Sequence, residues 1–220
     1  MKKLFLICFL ILFLVTGCGK KEENLLGINF NIEGNESSEF NHGSENPEVA
    51  MYIENYGAIV IELYPDVAPN TVNNFIYLTK TGFYDNNTFH RLEPGFVLQG
   101  GDPTGTGSGG PDYSIKGEFS RNGFDNDLSH TKWVVSMARS NSMDSAGSQF
   151  FIMLDDNTSL DGLYAAFGKV VDGFDVIDDI VENEKISSQG MGKLVNNLKI
   201  KKALVNLKGK EYPEPEKIEE

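Results

Sequence analysis

Short apolar segments that alternate with polar residues and end at turn-forming residues constrain the fold of this chain most strongly. Residues 51–53 and 59–63 both carry apolar side chains at every second position, and the turn-forming residues 55–57 separate them. Successive side chains of a strand point to opposite faces, so each segment would bury one face and expose the other. The pattern therefore predicts a β-hairpin in this part of the chain.

Further segments of similar length repeat this pattern. Strand candidates lie at residues 88–91, 96–100, 133–138, 150–154, 165–171 and 199–207. The 23 glycines supply many of the turns that such short strands need. Many short strands with only two helices are typical of a closed β-barrel capped by helices, because closure removes the exposed edges that a lone sheet would carry. We therefore predict a mostly β fold of this kind.

Two segments instead space their apolar residues as a helix does. Pro69 would open the first helix and Gly82 would end it, since proline suits the first turn and glycine the position after the last. The inward face of this helix would carry Val72, Phe75, Ile76 and Thr79. The second helix would span about residues 174–181 and would turn inward Phe174, Ile177, Ile180 and Val181.

The N-terminal residues indicate export and lipid attachment. Lys2 and Lys3 precede an apolar run, residues 4–15, that is too short to span a bilayer as a helix. The run leads through small residues to Cys18, and this arrangement resembles the lipobox of bacterial lipoproteins, in which the cysteine is lipidated and becomes the new N-terminus. We therefore predict a signal peptide at residues 1–17 and an extracytoplasmic protein anchored to the bacterial cell membrane through Cys18. An ordinary signal peptide with an incidental Cys18 is the alternative.

The mature chain divides by composition into three parts. Residues 18–47 are polar, which predicts a flexible tether behind the lipidated cysteine. Residues 48–207 hold the strand and helix candidates of a single domain, and residues 208–220 form a charged C-terminal tail. The net charge of −13 opposes nucleic-acid binding, because no basic run offsets the repulsion of phosphates. We expect a monomer.

The motifs that could indicate a cofactor or a metal site lack the sequence context that such sites require. Residues 105–110 match G-x-G-x-x-G, but a dinucleotide site needs a strand before this motif and a helix after it, whereas Pro111 and a strand-like segment follow here. The histidines His42, His90 and His130 lack the spacing of metal ligands.

Three segments, taken together, resemble the signature segments of the cyclophilins. They are residues 89–102, from Phe89 to Asp102, then residues 136–139 with 147–152, and then residues 160–170, from Leu160 to Val170. They occur in the family's order, and the likeness runs from about residue 49 to residue 207. The resemblance implies an eight-stranded antiparallel barrel with two capping helices. It also implies peptidyl-prolyl cis-trans isomerase activity, without cofactor or metal, on proline-containing polypeptides, here unfolded or folding secreted proteins.

The resemblance assigns roles by position. Arg91 would be the catalytic arginine, and Gln99 would brace it. The substrate-binding residues would be His90, Phe96, Val97, Met137, Ala138, Arg139, Gln149, Phe151, Leu160 and Tyr164. Phe96, Val97, Phe151 and Leu160 would line the proline pocket, and Met137, Ala138, Arg139 and Gln149 the groove for residues before the proline. An arginine suits this reaction because it stays charged and can donate a hydrogen bond to the prolyl nitrogen of a twisted amide.

The chain departs from well-studied eukaryotic members of that family at three pocket positions. Those members have a tryptophan where Ser159 stands, a histidine where Tyr164 stands and a methionine where Val97 stands. These changes would alter the shape of the pocket and leave the arginine in place.

Two other functions remain open from the residues alone. The domain could bind proline segments or unfolded chains as a chaperone module with little turnover, or it could serve only as an interaction surface of a structural lipoprotein. Taken singly, Arg91 is also typical of a surface arginine in an ion pair, for example with Glu93.

Overall fold

The predicted hairpin is present in the computed structural model, which describes residues 42–188 and 190–219. Strand β1 (Glu48–Ile53) pairs antiparallel with β2 (Gly57–Leu63). The apolar residues of the predicted alternation all face the core and are buried. Asn55 in the turn has a φ of 69°, a left-handed conformation that asparagine tolerates better than most residues.

Eight strands of the described residues close into one antiparallel barrel. The remaining six are β3 (Thr88–Glu93), β4 (Val97–Asp102), β6 (Val134–Met137), β7 (Phe150–Met153), β8 (Ala166–Asp172) and β9 (Lys193–Asn206). Two further short strands, β5 (Tyr113–Ser114) and β10 (Ile218–Glu219), pair with each other in a separate sheet. The order around the barrel is β1-β2-β8-β6-β7-β4-β3-β9, and β9 pairs with β1 to close it. The predicted barrel is confirmed.

Helix α1 (Pro69–Lys80) packs its apolar face against the barrel. Its buried residues include all four that the helical spacing predicts, Val72, Phe75, Ile76 and Thr79. The helix ends ahead of Gly82, whose φ of 74° is left-handed and suits glycine at this position. The predicted limits of α1 are therefore confirmed.

Helix α2 (Phe174–Asn183) agrees with the prediction except at its ends. Ile177 and Ile180 are fully buried, whereas Val181 is only half-buried. Phe174, predicted to face inward, is 38% exposed, and its ring lies against Trp133 with the ring centroids 5.2 Å apart. Helical spacing identifies the apolar face of α2 but not how much of that face the core covers. The core covers Ile177 and Ile180 and does not reach Phe174 at the start of the helix.

A cluster of aromatic rings fills the barrel interior. Phe150 lies at its centre, with ring centroids 5.3 Å from Phe75, 5.7 Å from Tyr84 and 5.7 Å from Phe89, each close to edge-to-face. Phe75 also contacts Phe167, with the ring centroids 4.9 Å apart. Edge-to-face pairs are the favoured arrangement of aromatic rings. Helix α1 thus contributes directly to the core through Phe75.

Both ends of the domain differ from the predicted boundaries. The predicted signal peptide and the predicted lipidation site Cys18 lie outside the described residues. The predicted tether extends to residue 47, but residues 44–47 pack on β2. The Ser44 hydroxyl and Asn46 Nδ2 both donate to the Glu62 carboxylate, and the Asn46 bond is 3.0 Å long. Leu63 N–H donates to the Pro47 carbonyl over 2.9 Å. The segment predicted as a charged tail also packs on the domain, where β10 pairs with β5.

Among the described residues, no helix combines the length and apolar character that crossing a membrane requires.

Candidate active site

A second apolar cluster lies on the outer wall of the barrel, formed by β4, β6, β7 and β8. Alternation along β7 puts Phe150 and Ile152 in the interior, whereas Phe151 and Met153 face outward. We call the outward cluster around Phe151 the outer pocket. The cluster consists of Val97, Val134, Phe151, Met153 and Ala166, with Phe96, Leu128, Ala138, Leu160 and Tyr164 packed against them. Six of these ten are predicted substrate-binding residues, and the structure brings these six together: Phe96, Val97, Ala138, Phe151, Leu160 and Tyr164.

An irregularity in β3 turns Arg91 toward this wall. Phe89 and Leu92 both face the barrel interior although they are three residues apart, so strict alternation fails between them. The pairing of β3 with both of its neighbouring strands shifts register at this point. A bulge of this kind re-aims side chains, and here it places Arg91 directly across from Gln99 of β4.

The guanidinium of Arg91 is held from three directions. Nη1 donates to Gln99 Oε1 over 2.9 Å, Nε donates to the Met191 carbonyl over 3.2 Å, and Nη2 lies 2.8 Å from Glu93 Oε1. The ion pair with Glu93 and the bracing by Gln99 therefore both exist. The guanidinium carbon also lies 5.8 Å from the ring centroid of Phe96. These contacts involve three of the five N–H groups of the guanidinium.

A chain of amide side chains continues from Arg91 along the wall. Gln99 Nε2 donates to Gln149 Oε1 over 3.0 Å, and Gln149 Nε2 donates to the Gly109 carbonyl over 2.9 Å. The Asp102 carboxylate holds the loop that carries Gly109, since it accepts hydrogen bonds from the backbone of residues 104 and 106–108. Burial alone would raise the pKa of Asp102, but the hydrogen bonds from Thr104 and the loop backbone hold it well below its usual value. The loop therefore stays tied to an ionised carboxylate in acid.

The floor of the outer pocket rests on a buried histidine. The Phe151 ring stacks on His130, with centroids 6.1 Å apart and planes at 21°. His130 Nδ1 lies 2.9 Å from Asp161 Oδ1, and Nε2 lies 3.0 Å from Ser136 Oγ. Ser136 is fully buried, so its hydroxyl cannot reach a substrate carbonyl as a nucleophile would. This set instead fixes the ring on which Phe151 lies.

Sequence reasoning missed this support beneath the pocket. His130 and Asp161 are far apart along the chain, and the sequence indicates only that Asp161 belongs to the segment that starts at Leu160. A short 3-10 helix (Thr158–Leu160) directly precedes Asp161 and presents Leu160 to the pocket. Ser159 is exposed beside it.

Arg139 forms the edge of the pocket. Its Nε and Nη2 donate to the Leu163 carbonyl over 3.0 and 2.9 Å, and Nη1 donates to the Ser140 carbonyl over 2.9 Å. The guanidinium carbon lies 4.8 Å from the ring centroid of Tyr164, whose ring meets Phe151 edge-on at 5.7 Å. Arg139 therefore holds the Tyr164 ring next to Phe151, and its place in the substrate groove stays a prediction.

Two predicted substrate-binding residues lie elsewhere. Met137 is 1% exposed and points into the barrel interior, because it alternates with the outward-facing Ser136. His90 is 7% exposed, and its ring lies beneath the loop at Gly107. The side chains of Met137 and His90 therefore do not join the other predicted residues in the outer cluster, and their contact with substrate stays a prediction. Among the described residues, no group of three or more histidine, cysteine, aspartate or glutamate side chains could hold a metal ion.

The buried histidines predict acid sensitivity of the fold. Burial lowers the pKa of His130 and of His90, although Asp161 and Asp102 act in the opposite direction. An unfolded histidine titrates near pH 6.5, so below about that pH the unfolded chain binds protons more readily than the folded one. We expect the stability to be at its full value above about pH 6.5 and to fall as the pH drops from there toward the lowered pKa values. The urea concentrations at the midpoint of unfolding at pH 7.5 and at pH 5.5 measure this loss of stability. The difference between the two midpoints should be smaller for His130→Asn than for the wild type. A wild type that is equally stable at both values would contradict the prediction.

Comparisons with known proteins give the chain's relatives. A family model described as "Cyclophilin type peptidyl-prolyl cis-trans isomerase/CLD" matches residues 48–205. Peptidyl-prolyl cis-trans isomerase B of Bacillus subtilis is 47% identical over 123 residues, which cover 56% of this chain and 82% of that protein. The peptidyl-prolyl cis-trans isomerase of Helicobacter pylori is 43% identical over 136 residues, 61% of this chain and 80% of that protein. The crystal structure of a Cryptosporidium parvum cyclophilin, solved in the presence of the dipeptide Ala-Pro, has a TM-score of 0.64 and 33% identity, and covers 72% of this chain and 98% of that one.

Proposed function

The chain belongs to the family of cyclophilin-type peptidyl-prolyl cis-trans isomerases, and we propose that it assists the folding of exported proteins from an anchor on the outer face of the cell membrane. The isomerase class follows from the family. The proposal adds that Arg91 is the catalytic donor, that the outer pocket holds the proline ring, and that the clients are extracytoplasmic.

One observation carries the catalytic part of this proposal. The Arg91 guanidinium is braced by Gln99 at the border of an apolar pocket. The X–Pro bond is planar because of amide resonance, with a barrier of about 18–20 kcal/mol. In the twisted transition state the prolyl nitrogen regains a lone pair, which an N–H of Arg91 can bind. No bond is made or broken, so neither a nucleophile nor a general base is needed.

The height of the activation barrier shows how much transition-state stabilisation the pocket must contribute. A turnover on the order of 10³ per second needs a barrier near 13 kcal/mol, so roughly 5–7 kcal/mol must be removed. A charge-assisted hydrogen bond supplies about 1.5–3 kcal/mol. The rest must come from binding the twisted form better than either planar form. A ring held by Phe151 and Phe96, while the acyl side rotates past Arg91, meets this requirement.

The barrel geometry supports an anchor that leaves the pocket open. The chain enters the domain at β1, and Phe151 lies on β7. In the closed order of strands, β1 and β7 are four positions apart in either direction. The described chain therefore enters the barrel at a strand on the wall opposite β7, an attachment point compatible with a client bound at the pocket.

Replacing the lipid-accepting cysteine tests the compartment. Cys18→Ser should abolish incorporation of labelled fatty acid, because serine offers no thiol for the thioether of a lipoprotein. The wild type should fractionate with membranes, and the variant should be released or remain uncleaved. Cys8→Ser is the matched control, since Cys8 lies within the predicted signal peptide, and it should label as wild type does. Equal labelling of wild type and Cys18→Ser would refute the anchor.

A further inference from the structure

The C-terminal strap, residues 208–219, lies beyond the family match, which ends at residue 205. β9 ends at Asn206, and the chain then turns, with Lys210 N–H donating to the Leu207 carbonyl over 3.0 Å. Tyr212 packs against the hydrophobic core, and Pro215 is buried. The strap therefore follows a fixed path over the outside of the domain.

Side chains of α1 and β5 hold the end of the strap. Asn70 pairs with the backbone of Glu216 as a neighbouring strand would: Nδ2 donates to its carbonyl over 3.0 Å, and Oδ1 accepts from its N–H over 2.7 Å. The Lys217 ammonium lies 4.2 Å from the ring centroid of Tyr77 and 4.8 Å from that of Tyr113, a cation held between two aromatic rings. The backbone of β10 then pairs with β5, which carries Tyr113.

Two hydrogen bonds through the buried Asn74 lead from Tyr113 toward the groove. The Tyr113 hydroxyl donates to Asn74 Oδ1 over 2.7 Å, and Asn74 Nδ2 donates to the Gly147 carbonyl over 2.7 Å. Asn74 is fully buried, so water cannot easily replace either bond. Gly147 precedes Gln149 by two residues, and the Gln149 carbonyl accepts from Ala138 N–H over 2.9 Å.

A second link runs along the backbone. Gly109, whose carbonyl accepts the Gln149 side chain, precedes Tyr113 by four residues. β5 therefore connects the strap to both groups that position Gln149: to Gly109 along the backbone, and to the Asn74–Gly147 pair through the Tyr113 hydroxyl. Ala138, Arg139 and Gln149 form what we call the pre-proline wall, the predicted site for residues that precede the proline.

We propose that the strap is a positioning element for the pre-proline wall, and that through it this chain sets its affinity for substrates extended on the N-terminal side of the proline. Lys217 and Asn70 are the positioning residues. The inference rests on the proposed function for the location of the groove. Loss of the strap would let β5 and Gln149 shift, while Arg91 keeps its contacts with Gln99, Glu93 and the Met191 carbonyl, and Phe151 keeps its stacking on His130.

Two peptides and two strap variants of the full chain test this inference. The short peptide begins, acetylated, at the residue before the proline, and the long one carries three more residues upstream. The variants are Asn70→Ala combined with Lys217→Met, and a deletion of residues 211–220 that retains Lys208. Lys202→Met is the control, because Lys202 pairs with Asp85, which belongs to neither the strap nor the groove. Isothermal titration gives Kd, and an isomerisation assay gives kcat and KM.

Both strap variants should weaken binding of the long peptide about threefold to tenfold and raise its KM equally, a range typical of coupling through packed residues. For the short peptide, Kd and KM should change less than about twofold, and kcat should change as little for both peptides. The control Lys202→Met should leave all of these constants within the same limit. An equal loss for both peptides, or none for either, would overturn the inference. If the deletion does not fold, the double substitution decides. A wild type that binds both peptides without turnover would contradict the proposed function, and the ratio of Kd values would still decide the role of the strap.

Discussion

Arg91→Ala should lower kcat/KM for a proline peptide by about 10²- to 10³-fold while the barrel remains folded. Removing one preorganised donor that acts on a transition state costs this much in other enzymes. The side chain lies at the open border of the outer pocket, so its loss leaves no cavity in the core. The measurement is a peptide isomerisation assay, with circular dichroism to confirm the fold.

Two further variants sharpen this prediction. Arg91→Lys keeps the positive charge but loses the planar fork that bridges Gln99, Glu93 and the Met191 carbonyl, so it should recover little activity. Arg121→Ala removes an exposed arginine from a short turn and should behave as wild type. A folded Arg91→Ala protein with full activity would refute the assignment of Arg91 as the catalytic donor.

Phe150→Ala should lower the free energy of unfolding by about 3–5 kcal/mol, the range for removing a large aromatic ring from a packed core. Phe150 is fully buried, and its ring contacts Phe75, Tyr84 and Phe89 at the centre of the barrel. The barrel closes on all sides, so the surrounding strands cannot collapse to fill the cavity. Urea denaturation measures the loss, and isomerase activity per folded molecule should remain within a few-fold of wild type.

The neighbouring residue provides the matched contrast. Phe151 is 5% exposed and faces the outer pocket, where it contacts His130 and Tyr164. Phe151→Ala should therefore lower kcat/KM by more than about tenfold, because the proline ring loses its floor, with a smaller loss of stability than Phe150→Ala. If the two substitutions had the same effects on activity and stability, the assignment of the two faces of β7 would be wrong.

The residues of the site were predictable as a set but not as an arrangement. The segments around Arg91, Gln149 and Leu160 point to one family and hence to one pocket, and the structure brings them together. Met137 and His90 belong to the same segments, yet their side chains lie behind the wall. A motif records which residues occur together, whereas the face on which each side chain emerges depends on strand register. In β3 that register changes at the bulge that turns Arg91 outward.

The sequence by itself determined the local elements of this protein, because strand alternation, the helical spacing around Phe75 and the turn residues act over a few neighbours along the chain. Only the tertiary structure decided the contacts between distant segments. Asp161 lies 31 residues from the histidine that it positions, Met191 lies 100 residues from Arg91, and Glu216 lies 146 residues from Asn70. No local preference specifies such pairs. They form because closure of the barrel brings β9 beside β3 and lets the C-terminal strap cross α1, and the free energy of burying the core offsets the entropy of ordering these segments.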